Sequence, residues 1–346
     1  MTDSHVYRAA RLAQVIPTEA WRTRQPGTPE ARSAWQERLR EAVRERLGVV
    51  TPTGTPEMSV LRTRDYPQYR CEEVAFPGGS GRTALGYLLT PTRLLRAGTT
   101  HPAVVCLPGH GRGADSSIGG AADGSRRAFG DWGEYQADFA LQCVAQGYIT
   151  LVLEPHGMGS RRDAAAREEG ADATSCRRDA PVALMLGETL LGWRAEDAIL
   201  AARLLQSLPR VEASRVAVMG ISGGGTTALF AAALCSDIRA VVISGYLNRF
   251  ADSILAVDHC PCNFVPGLAA LADMPDIAGL IAPRPLWAES GNGDPIFPLH
   301  GFRAAAATVA QIYQAFGAAE AFGTEPFEGG HQFQGGGLWD FLEQRL

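Results

Sequence analysis

Residues 215–235 read RVAVMGISGGGTTALFAAALC, in which one hydroxyl, Ser222, stands among four glycines between an apolar run and a run of helix formers. Gly220-Ile221-Ser222-Gly223-Gly224 satisfies G-x-S-x-G, and the flanking VAVMG and TTALFAAAL provide the strand, tight turn and helix that a nucleophile elbow requires. Such a turn lifts the hydroxyl out of the sheet, aims the Gly223 N–H at a developing oxyanion and adds the partial positive charge of a helix N-terminus. A phosphate-cradling loop would want a lysine beside its hydroxyl residue, and none is present.

A serine nucleophile needs a base and an orienting acid, and elbows of this kind take both from downstream, acid before histidine. The downstream histidines are His259, His300 and His331. His331, in EPFEGGHQF between the last strand and the final helix, is the candidate base; His259 lies in an intervening loop and His300 opens the penultimate helix. Asp294, in ESGNGDPIFP after the seventh strand, is the candidate acid, ahead of Glu289, Asp273 and Asp276. The second oxyanion donor is expected in CLPGHGRG, as the backbone N–H of His110. Gly111, His156, Ile221 and Phe297 are expected to line the pocket.

The elements that must position these residues alternate along the chain. Strand character appears at 70–77, 83–90, 103–109, 148–155, 215–220, 239–245, 284–290 and 320–327; helical character appears at 29–48, 132–146, 188–208, 224–236, 302–316 and 337–346. The first two strands suit an antiparallel pair at a sheet edge, and the later, uniformly apolar ones suit a parallel sheet covered on both faces. The fold class is therefore α/β, with about eight strands. We divide the chain into an N-terminal helical extension, 1–64, and a catalytic domain, 65–346, with insertions at about 110–130, 156–186 and 249–280. The first two insertions leave the carboxyl ends of strands, where open α/β sheets bind ligands. Trp35, Leu39, Val43 and Leu47 give the extension one apolar stripe, equally consistent with an intramolecular staple and with a homo-oligomer contact.

Composition narrows the functional classes. The 346 residues are 46% hydrophobic, and 32 basic against 37 acidic residues give a net charge of -5 with no Lys/Arg block. Nucleic acid and membrane are not expected as partners, and without a signal-like or membrane-length apolar run the chain reads as cytoplasmic. Seven scattered cysteines are expected as free thiols. The run His259-Cys260-Pro261-Cys262 has no second Cys/His pair at zinc-like spacing, so an ordered loop rather than a metal is expected, and no cofactor.

With PGHGRG (108–113), EPHGMGSR (154–161), the run 191–225, DHCPCNFVPGL (258–268), APRPLWAESGNGDPIFP (282–298) and FEGGHQF (327–333) in place, the chain resembles the α/β-hydrolase superfamily over about residues 65–346. It is most similar there to bacterial acetyl and acetyl xylan esterases and dienelactone-hydrolase-like groups. The resemblance implies cofactor-free, serine-dependent hydrolysis of small-molecule esters and carries Ser222, Asp294 and His331 onto nucleophile, acid and base. A peptidase or amidase of the same fold, and a binding protein on a hydrolase scaffold, are the competing readings.

Overall fold

The computed structural model describes residues 11, 14–49, 52–96, 98–121 and 123–346; residues 1–10 of the expected extension lie outside them. Among the described residues nine strands form one sheet: β1 (Ser59–Asp65), β2 (Tyr69–Pro77), β3 (Thr83–Pro91), β4 (His101–Leu107), β5 (Ile149–Leu153), β6 (Val211–Ile221), β7 (Ala240–Ser244), β8 (Leu286–Gly291) and β9 (Phe322–Phe327), in the order β1-β2-β3-β5-β4-β6-β7-β8-β9. Pairing is antiparallel from β1 to β5 and parallel from β5 to β9. β1 has no counterpart among the expected strands, because every one of its residues is exposed and no alternation marks it. Its arginines suit an edge that must not recruit another strand.

Period-two alternation assigns the strand side chains to two cores. Ala103, Val105, Val216, Val218, Val241 and Ile243 enter one; Val104, Cys106, Ala217, Met219, Ala240 and Val242 enter the other. The first face is covered by α1 (Pro29–Leu47), α4 (Leu190–Ser207), α5 (Gly223–Leu234) and α6 (Leu299–Ala315); the second is covered by α2 (Phe139–Gln146) and α7 (Leu338–Arg345). Between β5 and α4 the chain adds α3 (Cys176–Met185), inside the segment expected to be a polar insertion. Its buried face, Cys176, Ala180 and Ala183, is made of small residues that give little hydrophobic periodicity to read. The helix expected at 132–146 begins only at Phe139, since Glu134, Ala137 and Asp138 have positive φ. Asp138 is instead spent on Gly119 N–H and Arg127, tying down the loop after β4.

α1 starts with Thr28 accepting the Ala31 N–H at 3.2 Å, carries Pro29 at its first position and ends on left-handed Gly48. Trp35, Leu39, Val43 and Leu47 are fully buried in the first core. Gln36 donates to the Gly279 and Ala282 carbonyls and Arg40 to that of Ala233, so the stripe is consumed within the chain. Among the described residues, no helix is long and apolar enough to cross a membrane.

The chain runs from β4 outward to β5 and returns to β6 on the other side of β4. That reversal opens a crevice at the carboxyl ends of β4 and β6, the usual place for a ligand in such sheets. His110 follows β4 and Ser222 follows β6.

Candidate active site

Ser222 joins β6 to α5 with φ 55° and ψ -121°, a conformation a side-chain-bearing residue holds only where its surroundings impose it. The imposition comes from packing. A Cβ on Gly220 would lie 2.2 Å from the Gly224 carbonyl oxygen, and one on Gly224 would lie 1.7 Å from that of Leu107. Glycine at both positions is what lets strand, turn and helix close on one another. The Ser222 N–H donates to the Ser244 carbonyl at 2.9 Å and the Thr226 N–H returns to the Ser222 carbonyl, locking the turn from both sides.

Asp294 and His331 come from the loops that follow β8 and β9. His331 Nδ1 lies 2.7 Å from Asp294 Oδ2, while Asp294 Oδ1 accepts the N–H groups of Ile296 and Phe297. Burial pushes the Asp294 carboxyl up, but the hydrogen bond and charge of His331 and the two backbone bonds outweigh it, and it sits below its ordinary value. An ionised carboxylate only accepts, so Nδ1 is the nitrogen that donates to it. The imidazole is flanked by nearly parallel rings, Tyr135 at 5.9 Å and Phe297 at 5.6 Å between centroids.

The two loops are cross-braced. Asn292 N–H donates to the Phe327 carbonyl and Gly293 N–H to that of Gly329. Glu289, considered above as an acid, is fully buried and accepts from Ser244 Oγ at 2.7 Å and from the Gln334 and Gly335 N–H groups at 2.9 Å. It therefore holds the loop that carries His331. Asp273 and Asp276 build a capping box on the short helix Met274–Gly279. His300 is exposed beside Asp252.

In the loop after β4, the Gly109 N–H is taken by Gln136 Oε1 at 3.1 Å, and Tyr135 donates its hydroxyl to the His110 carbonyl. His110 follows directly, with its ring against Gly223. Ser222, His331, His110, Tyr135, Val257, Asp258, His259, Cys260 and Ile296 line one open cleft of about 360 Å³. Of the expected pocket residues, Phe297 reaches the site through the His331 ring. Three need correction. Ile221 has no exposed surface, because strand alternation sends it into the second core. Gly111 faces Ser116 and Asp172. His156 is held edge-on to Trp193 and lines not the open cleft but a narrower cavity that reaches Gly223 of the elbow, with Glu154, Arg161, Arg194 and Thr227. Tyr135 and Val257 carry no motif, and nothing in their local sequence marks them as cleft residues; His259 and Ile296 stand in runs singled out above, but not as cleft walls.

The His110 Nε2 points toward sulfur, near Cys262 and Cys176. The ligand-capable atoms of His110, Cys176, Cys260 and Cys262 all lie within 4.8 Å of one another. The loop read as 259–262 alone thus meets two further donors, one from the turn after β4 and one from the first residue of α3.

Residues 10–311 match the family model of the Abhydrolase family. The Bacillus subtilis (strain 168) protein YtaP, named as a hydrolase, is 27% identical over 198 residues, 56% of this chain and 62% of that protein, so the likeness spans less than two thirds of its length. Among solved structures, a Bacteroides fragilis protein assigned by name to the acetyl xylan esterases superposes with TM-score 0.77 at 19% identity, covering 94% of this chain and 83% of its own. A glucuronoyl esterase from Solibacter usitatus does so with TM-score 0.67 at 15% identity, covering 96% and 99%. At such identities the two structures speak for the fold.

Proposed function

The chain belongs to the Abhydrolase family, and from that premise we propose that it hydrolyses carboxylic esters through an acyl-enzyme, with Ser222 as nucleophile, His331 as base and Asp294 as orienting acid. The observation that carries this reading is the 2.7 Å contact of His331 Nδ1 with Asp294, together with His331 and Ser222 lining one cleft. Ser222 Oγ attacks the ester carbonyl carbon as His331 Nε2 takes its proton; the N–H groups of Gly223 and His110 receive the oxyanion; His331 then protonates the departing alcohol. Water repeats the sequence on the acyl-enzyme and frees the acid.

The cleft volume and its Val257, Ile296 and Tyr135 walls suit small or medium acyl esters such as acetyl esters. The named substrates of the structural neighbours, acetylated xylan and glucuronoyl esters, belong in the same screen. Seven free cysteines support a reducing, cytoplasmic setting. The test is hydrolysis of p-nitrophenyl acetate and labelling by a fluorophosphonate probe. Wild type is expected to turn over and label, and Ser222→Ala to do neither; undiminished turnover in folded Ser222→Ala overturns the reading. Faster cleavage of a matched anilide would reassign the chemistry to amides.

A further inference from the structure

We propose that His110, Cys176, Cys260 and Cys262 form a closed Cys₃His site for a zinc-class divalent ion, which clamps the oxyanion loop to α3 and to the loop of Cys260 that borders the cleft. His110 Nε2 is 3.3 Å from Cys262 Sγ and 3.9 Å from Cys176 Sγ, and Cys260 Sγ is 3.1 Å from Cys262 Sγ. Metal–sulfur bonds of about 2.3 Å and metal–nitrogen bonds of about 2.0 Å in a tetrahedron give ligand separations of about 3.5–3.8 Å, so side-chain adjustments of up to about 1 Å close the four donors on one ion. Three thiolates and an imidazole are a soft set that selects zinc-like ions over magnesium or calcium.

Charge and surroundings agree. Arg194 is buried, fixed by two bonds to the His156 carbonyl, and its Nη2 lies 3.1 Å from Cys176 Sγ. Three thiolates, a divalent ion and this guanidinium together are neutral, which is what a buried site requires. Asn263 Nδ2 contacts Cys262 Sγ at 3.5 Å and accepts at Oδ1 from Thr226 of α5, giving the sulfur an outer partner. The far edge of the His110 ring lies against the elbow: a Cβ on Gly223 would meet its Nδ1 at 2.9 Å. All four donors come from the protein, leaving no open position for water, so the ion is structural.

The clamp follows from where the ligands sit. His110 belongs to the turn whose N–H receives the oxyanion, Cys176 begins α3, and Cys260 and Cys262 lie in the cleft-bordering loop. The ligand set stands independently of the esterase reading; only its consequence for turnover rests on it.

Metal content decides the matter. Full-length protein, expressed with zinc and purified without metal-affinity resin, is expected to carry about one zinc per chain by plasma mass spectrometry. Ser222→Ala is expected to match it, while Cys176→Ser and Cys262→Ser fall below about a tenth of that. Cobalt uptake by the wild type is expected to give thiolate charge-transfer absorption, which keeps the test decisive if the variants do not fold. Chelation is expected to lower kcat by up to about 10²- to 10³-fold, the scale for losing one oxyanion donor. A wild type that is metal-free as isolated and takes up neither zinc nor cobalt after reduction overturns the site, as does an intact mass showing the loss of two hydrogens to a disulfide among these cysteines. Zinc-loaded protein without esterase activity sinks the functional reading and leaves the site standing.

Discussion

At the scale of single residues, the chemistry turns on which nitrogen of His331 holds the proton. Asp294 fixes it on Nδ1, and its Oδ1 is itself held by the Ile296 and Phe297 N–H groups. Asp294→Asn preserves shape but presents an N–H where an acceptor is needed, favouring the wrong tautomer. An expected fall of about 10⁴-fold in kcat follows from that tautomer switch, measured on p-nitrophenyl acetate with folding checked by circular dichroism. A fall below about tenfold would assign the orientation of the ring to its stacking on Tyr135 and Phe297 rather than to the carboxylate. Ser222, Asp294 and His331 were readable because each stands in a motif at a strand end. Tyr135 was not, because its hydroxyl acts on the backbone of a turn distant in sequence.

Between elements, the strand ends are tied together by buried polar groups. Glu154, just past β5, is buried and accepts the Ala114 N–H at 3.2 Å, joining the loop after β4 to the loop after β5. Burial, aided by the nearby Asp115 charge and opposed by the Ala114 and Ser160 hydrogen bonds, raises its carboxyl from 4.5 to about 8. The folded protein therefore holds a proton that the unfolded chain releases above 4.5. Its contribution is full below pH 4.5, declines as pH rises toward about 8, and is flat beyond. Glu154→Gln removes that slope. Its midpoint of thermal unfolding is expected to gain on the wild type steadily between these two pH values; a difference that does not vary with pH would show that the carboxyl is ionised in the fold. His156, lowered to about 3 by burial and by Arg161 and Arg194, acts in the opposite sense below its ordinary 6.5. The comparison of variant with wild type cancels it.

For the whole molecule, α1 closes the first core. Its four buried residues seal the sheet face under α5 and α6, and its polar contacts reach the carbonyls of Ala233, Gly279 and Ala282. Leu39→Ala is expected to cost about 2–5 kcal/mol, the usual range for a buried Leu-to-Ala cavity, read from urea unfolding. Turnover at low denaturant should be unchanged, because α1 meets the carboxyl end of α5 while Ser222 stands at its amino end, about 18 Å away at 1.5 Å per residue. Lost turnover in a variant that is still folded would mean that the cavity propagates along α5 to the elbow.

By itself the sequence determined the alternation of strands and helices, the apolar stripe of α1 and the three motifs that carry serine, acid and histidine. These are local signals: periodicity follows from backbone geometry, and a tight turn demands glycines wherever it occurs. Tertiary structure alone decided that β1 pairs at the edge, that Ile221 enters a core, that Glu289 braces a loop, and that His110 and Cys176 meet Cys260 and Cys262. Each of those outcomes depends on which strand ends become neighbours at the reversal of strand order. Distances between residues remote in the chain are set there, and no spacing along the sequence encodes them.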